Sequence, residues 1–264
     1  MGPGESLYNF LIYSNIRYIL QTNTCVWTWM IIFAFDFSIN KPAATILKCG
    51  ESHYQPIFMT WPLSLTNKEK ETYKNVMHDS SGGGFKCFCR DLDSISKDSN
   101  LSTSEMALMH TKRSILLAKM ITEELKSLTG DDEDIYFVSE GLSFASKGNS
   151  SLDLATYKGV LMAFMYEAFP TMKIYTYAPM TIKSVAGCAK KDKAKDKHAM
   201  IRAFLDEPGL EDNVFWRKLK AGDLSYEVTK GKNKGTLEYI HCVDDIVDSY
   251  FAMKTLVAKE GIIV

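Results

Sequence analysis

Residues 135–151 read IYFVSEGLSFASKGNSS, and how this stretch is read decides the fold. Its first four residues, Ile135 to Val138, are β-branched or aromatic, the composition of a strand buried in a sheet. The run leads straight into an acid, Glu140, followed by Gly141 and then by a turn at Gly148-Asn149. A strand end is a stiff mount for a carboxylate, and a glycine behind it lets a bulky substrate backbone come close. One acid at one strand end is common and can be structural. Its meaning depends on whether other acids in the chain end in the same kind of place.

Asp36 does so. It closes the apolar run 31–35 in the phrase FAFDFSIN, where an ionised side chain is costly unless something compensates it. Near the C-terminus, VDDIVDSYF opens an amphipathic helix expected over 244–259. Asp245 and Asp248 are three apart there, and Asp244 and Asp248 four apart, so either pair shares a face. Taken alone, acids in a first turn are explained by the helix macrodipole. Taken together, several acids converging on one sheet edge suit hard divalent cations, because Mg²⁺ sites combine a few protein carboxylates with waters and substrate phosphates. A pair of such ions about 4 Å apart activates a water and stabilises the leaving oxygen in phosphodiester hydrolysis.

Around these acids the chain reads as an α/β domain. Short strands are expected at 31–35, 43–49 and 57–61, close enough to form antiparallel hairpins. A helix over 102–128 starts at Ser102 or Thr103 and stops at Gly130, and the strand at 135–138 follows. Helix 152–169, strand 173–177, a helical turn at 181–185 and helix 198–205 complete the alternation, which implies a mixed sheet flanked by helices. The polar stretch 64–100, with Gly82-Gly83-Gly84, reads as a long loop or insertion holding at most a short strand at 85–89. The segment 207–235 reads as a charged insertion.

Composition limits the options. At 264 residues the chain suits one large domain, and its formal net charge of −1 advertises no global attraction to nucleic acid, so any such partner is met by local patches. The six cysteines (Cys25, Cys49, Cys87, Cys89, Cys188, Cys242) lack a paired zinc spacing and read as thiols in a reducing, intracellular setting. Residues 1–29 read as an N-terminal extension packed on the domain or as a mis-assigned start. The apolar run 25–35 within this region falls well short of the ~20 residues that span a bilayer. No membrane association is therefore expected.

These residues resemble RuvC-type Holliday-junction resolvases of the RNase H-like superfamily. The likeness is densest in SEGLSFASKGNSSLDLATYKGVLMAF (139–164), YAPMTIKSVAGCAKKDKAKDKHAMIRAF (177–204) and DDIVDSYFAMK (244–254). It covers most of residues 30–264, with unaligned insertions at about 64–100 and 207–240. The family pattern is an Asp on the first strand, a Glu on the fourth, and Asp-x-x-Asp followed by a small residue on the last helix. Asp36, Glu140, Asp245, Asp248 and Ser249 match it. The resemblance implies an RNase H-like mixed five-stranded sheet flanked by helices. It also implies Mg²⁺, or Mn²⁺ in its place, held by Asp36, Glu140, Asp245 and Asp248, and a homodimer acting on branched DNA. The insertions suit a viral or organellar relative better than a bacterial housekeeping enzyme.

The family also carries lysines after its fifth strand. Lys183 matches the first, and Lys197 is the nearest equivalent of the second, with Lys193 or Lys195 as alternatives, because the stretch at 187–189 lacks the family's second glycine. Lys190, Lys191, Lys193, Lys195 and Lys197 supply the local positive charge that phosphate contacts need; a solvated surface loop is the plain alternative, and the run's position near the acids puts the DNA reading ahead of it. Lys147 is a further candidate phosphate contact. Phe144 and Tyr157 could stack on an unpaired base or simply pack. Two other readings remain beside the resolvase: a nuclease acting on RNA–DNA hybrids or flaps, and an RNase H-like module that binds nucleic acid without cutting it.

Overall fold

The structure is a computed structural model, and it describes residues 30–38, 40–50, 55–63, 65–78, 84–89, 102–130, 134–141, 149–189, 198–229, 231–232, 234–240 and 242–262. At its centre lies β1 (Met30–Asp36), the apolar run read from the sequence, buried on both faces from Ile31 to Phe35. It pairs antiparallel with β2 (Ala43–Cys49), which pairs antiparallel with β3 (Ile57–Thr60). On its other side β1 pairs parallel with β5 (Asp134–Glu140), which pairs parallel with β6 (Lys173–Tyr177). Parallel neighbours need long crossovers, and the helices α2 (Thr103–Lys126) and α3 (Asn149–Ala168) supply them.

The sheet has six strands rather than five. Beyond β3 lies β4 (Phe85–Cys87), parallel to it and reached through a helix, α1 (Asn67–His78), giving the order β4-β3-β2-β1-β5-β6. The stretch expected to be a loop therefore contains a helix, with Tyr73 and Val76 buried in the core. Gly84 is required at the entry to β4. Its φ is 114°, and a Cβ there would meet Asn213 Nδ2 at 2.6 Å and the Pro56 carbonyl at 3.2 Å.

Asn213 in turn explains why the charged segment after residue 207 is not a mere surface insertion. Fully buried, it caps α6 (Val214–Lys220) by accepting from the Phe215 and Trp216 amides, and its Nδ2 donates to the Pro56 carbonyl at 2.9 Å. The helix buries Val214, Phe215, Trp216 and Leu219, and burying a large apolar side chain is worth about 1.5–3 kcal/mol. Strands β7 (Ser225–Glu227) and β8 (Leu237–Tyr239) form a separate antiparallel pair.

The helices cover the two sheet faces. The pair α2 and α3 packs on one, where α2 opens with the expected Ser102, in a reciprocal capping box with Glu105. On the other lie α4 (Pro179–Val185), α5 (Ala199–Leu205), α6 and the last helix, α7 (Val243–Glu260). Among the described residues no helix is long and apolar enough to cross a membrane.

Candidate active site

Side chains alternate across a strand, and that alternation aims the acids. In β1, Ile31, Phe33 and Phe35 face α2 and α3, while Ile32 and Ala34 face α7; Asp36 is in phase with the second set. In β5, Ile135 and Phe137 face α3, while Tyr136 and Val138 face α7, and Glu140 continues their row. Phe35 pairs with Ser139 across the two parallel strands, so Asp36 and Glu140 follow at neighbouring strand ends on one face.

The last helix brings the remaining acids to them. It packs over β1, β2 and β5, and its approach depends on the small residue of the motif: Ser249 is wholly buried, shares a 2.8 Å hydrogen bond with Thr45 of β2, and donates to the Ile246 carbonyl at 2.7 Å. A larger side chain there would hold the helix off the sheet. Asp245 and Asp248, one turn apart, thereby reach the β1 end.

The acids act on one another through their charges. Asp36 has its pKa raised far above the carboxylate range, first by burial and then by the charges of Asp245 and Asp248, by a hydrogen bond with Asp245, and by Glu140. Asp245 is also raised by burial, against Lys41 and the same hydrogen bond. Both carboxyls of the pair are held up by burial, so the two titrate as a unit. Asp248 is pushed up to about 7 by burial, Glu140, Asp245 and Asp244, with Lys183 opposing. Glu140 is raised by burial, against Lys183 and Lys158. Asp36, Glu140 and Asp248 keep some solvent contact, yet desolvation leads in each.

Asp36 therefore lies within the field of Asp245, Asp248 and Glu140, and Lys183 acts on Glu140 and Asp248. Asp244 stands beside the group, with its Oδ1 buried and without a hydrogen-bond partner among the described residues. Lys147, Phe144 and the lysines at 190, 191, 193, 195 and 197 lie outside the described residues. Tyr157, weighed above as a base-stacking residue, is 2% exposed and packs edge-on against Phe37, so packing is its role.

Sequence reading missed two lysines. Lys158, on α3, donates to Ser139 Oγ and to the Glu140 carbonyl, both at 3.0 Å, and its ammonium lies 5.0 Å from the Phe37 ring centroid. Lys41, between β1 and β2, reaches Asp245 Oδ2 at 3.1 Å. Each carried a faint signal, Lys158 as a cation just before the apolar run of 160–164 and Lys41 as the one cation of FSINKP.

The donor set suits a hard cation, since it consists of buried or half-buried carboxylate oxygens. Among the described residues no three acidic, histidine or cysteine side chains are drawn together as a closed ligand set. The Lys41 ammonium, 3.1 Å from Asp245 Oδ2, offsets part of the carboxylates' charge, and a divalent ion would take its place. The thiols of Cys49 and Cys242, pushed up by burial to about 11 and about 12, stay protonated and make poor ligands.

No family model matches the sequence, and no curated protein matches it. Among solved structures the chain is similar to the Thermus thermophilus RuvC structure, at 11% identity and a TM-score of 0.45, over 88% of this chain and 97% of that one. T. thermophilus RuvC in complex with a Holliday junction substrate gives 11% identity and a TM-score of 0.42 over the same shares. The Aquifex aeolicus PPX-GPPA enzyme is similar over 62% of this chain and 42% of its own, at 12% identity and a TM-score of 0.29.

Proposed function

We propose that this protein is a divalent-metal-dependent, structure-selective endonuclease that hydrolyses phosphodiesters in Holliday junctions or other branched DNA. The observation that carries the reading is that Asp36 lies within the field of Asp245, Asp248 and Glu140 at once, although these residues come from β1, β5 and α7. Desolvated carboxyls whose charges oppose one another call for a cation to offset them.

Asp36, Glu140, Asp245 and Asp248 would hold Mg²⁺, or Mn²⁺ in its place. The ions supply a more acidic water and charge stabilisation at phosphorus. The protein's own part is positional. The ends of β1 and β5 fix Asp36 and Glu140 on a rigid sheet, and the Ser249–Thr45 contact sets the height of Asp245 and Asp248 above it. Lys183, whose charge acts on Glu140 and Asp248, would meet a phosphate oxygen, and Lys197 is assigned a similar role from its sequence position. In the reaction a water oxygen bonds to phosphorus and the bond from phosphorus to O3′ breaks. The water's proton passes to solvent, and O3′ takes up a proton, leaving a 5′-phosphate and a 3′-hydroxyl. Paired nicks on a four-way junction require two such sites related by a two-fold axis, hence a homodimer.

The test compares a synthetic four-way junction, a linear duplex and an RNA–DNA hybrid, each with Mg²⁺ or Mn²⁺. Symmetric nicking of the junction, with the linear duplex intact, is expected. Preferential cutting of the hybrid would replace the junction with an RNase H-like substrate, and retention of every substrate uncut would leave a binding module.

A further inference from the structure

Lys41 occupies a place that a simple surface ion pair does not explain. Its ammonium lies against Asp245 Oδ2, one of the oxygens proposed for the metal. The Lys41 side chain is 28% exposed and that of Asp245 12%, so the pair sits at the edge of the acids and is partly shielded from water. The backbone on both sides of it is fastened independently. The Asn40 carbonyl accepts from the Leu63 amide at 2.8 Å, and its side-chain oxygen accepts from Arg113 Nη2 at 2.8 Å. The Pro42 carbonyl accepts from the Trp61 amide at 2.9 Å and from Thr60 Oγ1 at 3.2 Å. The turn is held without Lys41, so the pair with Asp245 is not needed as a staple, and partly exposed pairs contribute little to stability in any case.

We propose that Lys41 is an exchangeable counter-cation of the acidic site: it neutralises Asp245 before a divalent ion arrives, and once displaced it binds a non-bridging oxygen of the DNA phosphate lying against the acids. The inference rests on the nuclease reading above and adds to it a residue from the β1–β2 turn. Two cations cannot both hold Asp245 Oδ2 closely, so ion entry and Lys41 release are linked. The released ammonium remains tethered at the rim by the fixed positions of Asn40 and Pro42. It would there face the same phosphate that the acids address.

The test uses the full chain and measures Mn²⁺ affinity by calorimetry without DNA, alongside single-turnover junction cleavage at saturating Mn²⁺. Lys41→Gln removes the competitor, so Mn²⁺ binds about fivefold or more tightly. In the same variant cleavage slows by about tenfold to a hundredfold, since a preorganised charge at the phosphate is gone. Opposite movement of the two readouts is the signature, because a merely structural lysine would weaken both. Mn²⁺ affinity that is unchanged or lower, or a cleavage rate that is unchanged, overturns the proposal. Lys41→Arg carries the test if the glutamine variant does not fold. A guanidinium grips Asp245 through two hydrogen bonds, so Mn²⁺ binding weakens, and unchanged affinity there also overturns the proposal. Wild-type protein that neither binds Mn²⁺ nor cuts a junction would remove the nuclease reading itself, whereas a wild type that does both, with Lys41→Gln indistinguishable from it, removes only the role of Lys41.

Discussion

On the sheet face beneath α2 and α3, β1 and β5 present Phe33, Phe35 and Phe137, with the Phe35 ring centroid 5.3 Å from Phe137 and 6.1 Å from Trp61. On the opposite face, beneath α7, the same strands present Ala34 and Val138 and then Asp36 and Glu140. One face is a continuous stack of rings, each pair of which adds about 0.5–1.5 kcal/mol beyond its buried area. The other is shallow near its end, with small side chains that let α7 settle close and bring its acids down. The difference shows how two neighbouring strands can hold desolvated carboxylates: the aromatic side supplies the rigidity and the acidic side spends it.

That contrast predicts opposite outcomes for substitutions one strand apart. Phe137→Ala removes a fully buried ring and lowers stability by about 3–5 kcal/mol. Asp36→Asn lowers junction cleavage by at least about a hundredfold. It also raises the melting temperature of the metal-free protein, because a carboxyl whose ionisation is opposed by burial and by Asp245 becomes a neutral amide. Junction binding by Asp36→Asn is retained. Calorimetric melting and gel-based cleavage of both variants check this, and an Asp36→Asn protein that melts lower or still cuts would erase the distinction between the faces.

Lys158 joins the two faces, since it rises from α3 on the aromatic side and ends at the carbonyl of Glu140. Burial lowers its pKa, with the Glu140 charge opposing. Lys158→Met leaves the Glu140 carbonyl and Ser139 without that donor, costing about 1–3 kcal/mol of stability. Cleavage falls by about tenfold or more through misplacement of Glu140. Lys158→Arg restores most of both. If the methionine variant cuts at the wild-type rate, the acidic end does not depend on the aromatic face for its geometry.

The acidic face was legible in the sequence because its signal is local. A carboxylate that ends an apolar strand, or opens an amphipathic helix, is visible as an interruption of a period. The strands around β1 were legible for the same reason. What stayed hidden depends on contacts between distant segments. α1 carries Tyr73 and Val76 among lysines and glutamates, too few apolar residues for a helical stripe, and it becomes a core helix only because β4 adds to the sheet edge beside it. The helix α6 is seven residues long and is stabilised by Asn213 gripping the Pro56 carbonyl, 157 positions away. Lys41 and Lys158 escaped because a lysine's partner is set by reach, and neither Asp245 nor the Glu140 carbonyl is near them in sequence.

The smallest expected effect is the one that separates proton from metal on the acidic face. Asp248 has its carboxyl raised from 3.8 to about 7, and Asp36, Asp245 and Glu140 are raised as well. A group whose folded pKa lies above its unfolded one binds more protons when folded. Its stabilisation is therefore complete below about pH 4 and is lost as pH rises through about 7. In chelator, the melting temperature should fall between pH 5.5 and pH 8, at about 2–4 °C for each kcal/mol lost. Mg²⁺ should restore it at pH 8 and have little effect at pH 5.5, where protons already occupy the acids. Asp248→Asn should flatten the slope without touching the rings opposite. A melting temperature that climbs from pH 5.5 to 8 in chelator, or a Mg²⁺ shift equal at both pH values, would mean that the carboxyls are spread out in water, each too far from the others for one charge to oppose the next.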